Sequence, residues 1–146
     1  MGQDRQLVRL LSQAERRLTA GLVKILSARD VSVPEWWVLT LLSDAEGHPM
    51  TEIAEFALVP SPTLTRIIDG MVTDNLVYRR ADDLDRRRVL IFVTYRGQIL
   101  FQQLQREVER YEQQFQEELD VETLTGLLSQ LTAITDRQDD AVGRGA

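Results

Sequence analysis

The chain has 146 residues, which suits one domain, and 43% of them are hydrophobic, enough to form a packed core. Cysteine is absent, and neither an N-terminal signal pattern nor an apolar run of about 18 residues is present, so we expect a soluble, cytoplasmic protein without disulfides or membrane spans. The net charge is −6, which argues weakly against nucleic-acid binding. Residues 61–97, however, hold seven arginines and five aspartates, so this segment carries a charge of +2 and the rest of the chain −8.

The chain begins with two predicted helices. Residues 4–29 place apolar side chains at steps of three or four, which is typical of an amphipathic helix. Ser32 and Glu35 then form an S-x-x-E capping box, and Pro34 stands in the first turn of the helix that this box starts. The second helix should therefore run over about residues 33–43.

A turn and two further helices are predicted next. The segment AEGHP, residues 45–49, has the composition of a turn, and MTEIAEFALV after it predicts a short helix. Ser61 and Pro62 predict another helix start, with the Ser61 hydroxyl at the N-cap and Pro62 at the first helical position. The spacing of this helix predicts a buried face formed by Leu64, Ile67, Ile68 and Met71.

The pattern changes after Leu76. LVYRR and RVLIFVT are rich in β-branched and aromatic residues with the polar ADDLD between them, which predicts a two-stranded hairpin. Thr94 and Asp120 are suitable caps for a long helix and a last helix. This order predicts a fold that is mainly α with a small β-hairpin: a winged helix-turn-helix. The terminal helices carry spare apolar surface, which indicates burial against a second copy of the chain.

The second helix of a helix-turn-helix reads bases with its N-terminal residues. The candidates are Ser61, Thr63, Thr65 and Arg66. Hydroxyls can donate or accept, threonine methyls can contact thymine methyls, and arginine can bind guanine through two hydrogen bonds. The alternative is a structural role, with Ser61 as a cap and Arg66 as a solvated charge.

The predicted hairpin loop concentrates arginine. Arg86, Arg87 and Arg88 could bind phosphates or enter a narrow minor groove. The same loop holds three aspartates, Asp82, Asp83 and Asp85. Because all three would repel DNA if they faced it, we expect Asp85 to pair with an arginine and shape the loop. The alternative is a charged loop that is only solvated.

The chain resembles the MarR family of transcription regulators over about residues 5–138. The resemblance rests on the block TEIAEFALVPSPTLTRIIDGMVTDNLVYRR and on DRRRVLIFVTYRG. The second follows the family order of Asp-Arg-Arg, six residues and Thr-x-x-Gly, here Asp85, Arg86, Arg87, Thr94 and Gly97. Two positions depart from the family: Asn75 stands where glycine is common, and Arg66 is the single basic residue of the second helix.

This resemblance implies the organisation of the whole molecule. It implies one domain over residues 1–146, dimerisation helices over 5–30 and 95–140, and a winged helix-turn-helix lobe over 33–94. Such a homodimer would be a ligand-responsive repressor that binds double-stranded DNA at a pseudo-palindromic operator. Residues 61–66, Pro62 included, would then meet the major groove, and Arg87 with Arg86 the minor groove.

The family resemblance also implies an effector, a small aromatic or phenolic molecule. Trp36, Trp37 and His48 lie near the expected pocket between the dimer helices and the DNA-binding lobe. The alternative is that one tryptophan belongs to the core and that His48 is a loop residue at the surface.

An enzyme is disfavoured. One histidine and no cysteine exclude most metal clusters and Cys/His nucleophiles, and no glycine-rich phosphate loop is present, so we expect no catalytic residue, metal or cofactor. The rival hypothesis is a winged-helix dimer that serves as a protein-interaction module, with DNA binding weak or lost. Affinity that falls steeply with salt would favour the DNA hypothesis.

Overall fold

The computed structural model describes residues 2–118 and 120–142, and the side chains of residues 6–118 and 120–136. The elements of this part are α1 (Gly2–Ser27), α2 (Val33–Leu42), β1 (His48–Pro49), α3 (Met50–Phe56), α4 (Ser61–Thr73), β2 (Val77–Ala81), β3 (Val89–Val93), α5 (Tyr95–Glu118) and α6 (Val121–Val142). The predicted mainly α fold with a small sheet is confirmed. Among the described residues, none of the helices is long and apolar enough to cross a membrane.

Side-chain caps start α2 and α5 as predicted. In the capping box of α2, the Glu35 amide donates to Ser32 Oγ at 3.3 Å and the Ser32 amide donates to the Glu35 carboxylate at 2.7 Å. At the start of α5, the Gly97 amide donates to Thr94 Oγ1 at 2.9 Å. Local sequence therefore decides where these helices begin.

The start of α4 differs from the prediction by one residue. Pro60 is the N-cap, with φ −61° and ψ 148°, and its carbonyl accepts from the Leu64 amide at 3.0 Å. Ser61 is therefore the first helical residue, Pro62 follows it, and no side chain caps the helix. The predicted N-cap role of Ser61 is wrong, because the fixed φ of Pro60 already supplies the extended geometry that an N-cap needs.

The sheet has three strands in the order β1-β3-β2, one more than the predicted hairpin. β2 and β3 form the antiparallel hairpin. β1 pairs with the other edge of β3, with His48 opposite Ile91 and Pro49 opposite Leu90. The predicted turn at residues 45–49 thus ends in a strand, which is too short to show the alternation that identifies strands in a sequence.

By internal contacts the chain divides into two compact units, Met1–Val108 and Glu109–Ala146. The first unit holds a core to which α1, α2, α3, α4, the sheet and α5 all contribute. From α4 the fully buried side chains are Leu64, Ile68 and Met71, while the fourth residue of the predicted face, Ile67, is only partly buried. This anchoring leaves the opposite face of α4 in solvent.

The second unit consists of the end of α5 and α6. Asp120 caps α6, as predicted, because its carboxylate accepts from the Thr123 amide at 2.8 Å. On α5, the Tyr111 and Phe115 rings meet edge to face with centroids 5.1 Å apart. The exposed large apolar side chains within α6 include Leu127, Leu128 and Ile134.

Candidate nucleic-acid interface

The first two turns of α4 present a polar surface. The predicted contact residues here are all exposed: Ser61, Pro62, Thr63, Thr65 and Arg66. Leu64 and Ile68 of the same helix are fully buried and fix the rotation of the helix. Thr65 Oγ1 donates to the Ser61 carbonyl at 3.1 Å, which orients that side chain. Because no side chain caps α4, the amides at its start add a positive dipole end that favours an anion.

The loop between β2 and β3, residues 82–88, is closed by its own hydrogen bonds and is called the wing loop below. The Asp82 amide donates to the Arg88 carbonyl at 2.8 Å, and the Arg88 amide donates to the Asp85 carbonyl at 2.9 Å. Asp85 Oδ1 accepts from the Arg87 amide at 3.1 Å and from Arg87 Nε at 3.3 Å. Asp85 therefore holds both the backbone and the side chain of Arg87.

The other two aspartates of the wing loop also have partners within the hairpin. The Asp82 carboxylate accepts from the Leu84 amide at 3.0 Å. The Asp83 carboxylate lies 3.5 Å from Arg80 Nη2. All three carboxylates thus shape the loop, and their charge is partly offset before any partner arrives.

The five arginines of the hairpin divide into two groups. Arg79 on β2 donates to the Asp69 carboxylate on α4, and Arg80 lies over the Phe92 ring with its guanidinium carbon 4.4 Å from the centroid. Tyr78 stacks on the same ring. The remaining three, Arg86, Arg87 and Arg88, are exposed, and the side chain of Arg87 is 93% accessible even though it pairs with Asp85.

The pair of Arg79 and Asp69 was not predicted. It joins β2 of the hairpin to α4 and so connects the two elements that carry the exposed arginines and the polar helix start. The partners stand ten residues apart on a helix and a strand, and neither helical nor strand periodicity connects such positions. The sequence therefore contains no local signal for it.

The three residues predicted to contact an effector have different neighbours in this chain. Trp36 is 4% exposed and stacks on Phe101 with centroids 5.3 Å apart, whereas Trp37 meets the edge of Phe56. His48 is buried in β1 and not in a surface loop, and its two ring nitrogens face the carboxylates of Asp44 and Glu52.

A cavity of about 460 Å³ lies elsewhere in the first unit. Its lining includes charged Arg29, Asp30, Asp74 and Arg96 together with apolar Leu76 and Leu100, and it includes none of Trp36, Trp37 and His48. Arg29 is paired with Glu107 at 2.6 Å. The lining residues come from three separate stretches of sequence, 29–35, 74–76 and 96–103, so no motif marks the cavity.

Comparison with known proteins points to one family. The MarR family model matches residues 31–89, from two residues before α2 to the first residue of β3. Among curated relatives, the homoprotocatechuate degradative operon repressor of Escherichia coli is 27% identical over 137 residues, which cover 91% of this chain and 93% of the relative.

Solved structures resemble the chain over most of its length. The transcriptional repressor CouR, bound to a 23-mer DNA duplex, superposes with a TM-score of 0.81 at 25% identity and covers 92% of this chain and 96% of its own. NadR in complex with 4-hydroxyphenylacetate gives a TM-score of 0.78 at 26% identity, with 85% of this chain and 88% of NadR covered. The likeness thus extends well beyond the helix-turn-helix.

Proposed function

Because the chain belongs to the MarR family of transcription regulators, we propose that it is a DNA-binding repressor that responds to a small ligand, and not an enzyme. One observation carries the proposal. The polar start of α4 and the arginines of the wing loop are exposed in one unit, while the aspartates of that loop are engaged within the hairpin. This arrangement resolves how a chain of charge −6 can bind a polyanion. Such a regulator works in the cytoplasm, beside the chromosome.

We assign the two exposed groups different tasks on DNA. Residues 61–66 of α4 read base edges in the major groove, where Arg66 binds a guanine and Thr63 and Thr65 contact neighbouring bases. Arg86, Arg87 and Arg88 follow the backbone into the adjacent minor groove, where guanidinium groups match phosphates and a narrow A·T groove. Asp85 holds Arg87 through its amide and Nε, while the side chain stays exposed for this contact.

We further propose that the protein acts as a homodimer. In the first unit, α1 leaves six large apolar side chains exposed by 38% or more: Leu7, Val8, Leu10, Leu11, Leu18 and Val23. In the second unit, α6 leaves Leu127, Leu128 and Ile134 exposed. Apolar faces of this kind mark association surfaces, and a two-fold partner would cover them. The operator is then pseudo-palindromic, with half-site centres roughly one turn, about 10 bp, apart.

The effector we propose is a small aromatic or phenolic anion. NadR, which resembles this chain, binds 4-hydroxyphenylacetate. Trp36, Trp37 and His48 stay proposed contact residues, although the first and last are buried with partners of their own. The cavity lined by Arg29 and Arg96 is a second candidate location, because guanidinium groups attract carboxylates and phenolates.

Alanine substitution of Arg66 and Arg87 separates the two proposed DNA tasks. Against a duplex from upstream of the protein's own gene, Arg66→Ala should weaken binding by about 1–3 kcal/mol and relax the base preference at one position. Arg87→Ala should weaken binding to all sequences and lower the slope of log affinity against log salt by about 1 per protomer. Fluorescence anisotropy at several salt concentrations measures both effects.

Arg17→Ala, which removes an exposed arginine of α1 outside both proposed DNA contacts, is the control for loss of charge alone, and it is compared at a protein concentration at which it is as dimeric as the wild type. It should leave affinity and base preference unchanged. If Arg87→Ala binds like the wild type at every salt concentration, the assignment of the wing loop to DNA is wrong. If Arg66→Ala keeps the full base preference, α4 does not read the major groove through that side chain.

A further inference from the structure

The wing loop carries an apolar side chain that DNA binding by arginine does not explain. Leu84 is 97% exposed, which makes it the most exposed large apolar side chain in the described part of the chain. It stands in the same loop as Arg86 and Arg87, between Asp83 and Asp85. A leucine in full contact with water gains nothing for folding.

The backbone of Leu84 is held in place. Its amide donates to the Asp82 carboxylate at 3.0 Å, and the loop around it is closed by the bond from the Asp82 amide to the Arg88 carbonyl. On its other side, Asp85 fixes Arg87 through two hydrogen bonds. The loop therefore holds the backbone of both Leu84 and Arg87 in an ordered turn, so that a partner need not order the loop before it buries them.

The charges next to Leu84 do not prevent it from approaching DNA. Asp83 is paired with Arg80 and Asp85 with Arg87, and the Asp82 carboxylate is occupied by the Leu84 amide itself. Arg86 and Arg88 are exposed on the same loop. The surroundings of this leucine thus favour a polyanion that also offers an apolar surface.

We infer that Leu84 is a specificity-determining residue that enters the minor groove beside Arg87 and packs against the deoxyribose walls and base edges there. This rests on the proposed function, since it requires the wing loop to lie in a minor groove. Apolar side chains, leucine included, are among those that minor-groove proteins insert at base steps.

The chemistry of the groove predicts which bases Leu84 accepts. An A·T pair presents acceptors only, whereas a G·C pair adds the N2 amino group of guanine. An apolar side chain over that amino group would strip its water without replacing the hydrogen bond. Leu84 should therefore favour A·T pairs at the positions under the wing loop, which the protein otherwise contacts only through charge.

Inosine substitution isolates this effect. The positions under the wing loop are first located as those whose hydroxyl-radical protection is lost in Arg87→Ala. An A·T pair there is then replaced by G·C or by I·C, which has the major groove of G·C without the N2 amino group. Wild-type affinity should fall about tenfold on the G·C duplex, because a loss of this size corresponds to the free energy of burying a leucine side chain. The I·C duplex should restore the affinity.

Leu84→Ser should weaken binding to the A·T duplex by about tenfold and reduce the G·C penalty to about threefold or less. Its salt slope should equal that of the wild type, because no charge is removed. Leu84→Met, which keeps an apolar chain of similar volume, should retain the G·C penalty. Because the side chain is exposed, Leu84→Ser should unfold at the same urea concentration as the wild type.

The possible outcomes decide between this inference and its premise. A Leu84→Ser variant that binds all three duplexes as the wild type does would overturn the inference and leave the proposed function intact. So would a variant that weakens binding to the three duplexes equally, because Leu84 would then carry no specificity. If the wild type binds no duplex with sequence preference, the proposed function fails and this inference fails with it.

Discussion

At the scale of single residues, His48 connects the sheet to the helix-turn-helix. Its Nε2 lies 2.8 Å from an Asp44 carboxylate oxygen, and its Nδ1 lies 3.2 Å from a Glu52 carboxylate oxygen. Glu52 belongs to α3, and His48 itself pairs with Ile91 of β3. Since both ring nitrogens face acceptors, the arrangement is complete only when the ring carries both protons.

The protonated ring is favoured in the folded protein. Burial disfavours its charge and by itself would lower the pKa, but the hydrogen bonds and negative charges of Asp44 and Glu52 outweigh burial and raise the pKa of His48 above its ordinary 6.5. The protonated His48 ring therefore stabilises the folded protein in full below about pH 6.5, which is the pKa of histidine in the unfolded chain. This contribution to the free energy of unfolding is lost as pH rises through the higher pKa of His48 in the folded protein.

We predict that the difference in free energy of unfolding between the wild type and His48→Gln is largest at low pH and shrinks as pH rises. Urea unfolding between pH 6 and 9, at one protein concentration, measures this difference, and glutamine keeps hydrogen-bonding groups without a titrating charge. A difference that grows with pH would show that the neutral ring is the stabilising form.

At the scale of elements, the start of α5 is held by a hydrogen bond and by close packing against the turn that joins α4 to β2. Thr94 Oγ1 donates to the Asn75 carbonyl at 2.7 Å. A Cβ on Gly97 would collide with the Leu76 carbonyl and lie 2.8 Å from Val93 Cγ2. Glycine at 97 is therefore required by close backbone approach, whereas Gly70 in α4 has open space where a Cβ would stand.

These two glycines make a matched pair of predictions. Gly97→Ala should lower the free energy of unfolding by about 1–3 kcal/mol, because either the helix or the turn must shift. Gly70→Ala should raise it by up to about 1 kcal/mol, because alanine is the better helix former and nothing obstructs its methyl group. Urea unfolding of both variants checks the pair, and equal effects of the two would contradict this account of Gly97.

At this scale, the features that could be predicted from the sequence are those set by residues within a few positions of each other. The capping box of Ser32 and Glu35 and the left-handed conformation of Asn75, φ 57°, follow from residue chemistry within a few positions. The strand β1 and the pair of Asp69 with Arg79 depend on contacts across 10 to about 40 residues, which no periodicity encodes. The predicted start of α4 is one residue late for a different reason. Pro60 and Pro62 are both typical of a helix start, so the sequence does not decide which of the neighbouring residues is the N-cap.

At the scale of the whole molecule, charge is unevenly distributed. Residues 61–97 carry +2 and the rest of the chain −8. The positive part includes the start of α4 and the wing loop, so the molecule should approach DNA with that surface and be repelled elsewhere. Net charge alone would have argued against the function that the distribution supports.

The central claim is that these surfaces bind a specific DNA duplex, and its most direct test is wild-type anisotropy against upstream and scrambled duplexes at rising salt. The account predicts a complex at low salt that prefers the upstream duplex. Its affinity should fall about 10³-fold or more between 50 and 200 mM salt if the dimer neutralises about six or more phosphates. Equal affinity for both duplexes, or affinity that salt does not change, would contradict the account and favour a winged-helix dimer that binds proteins.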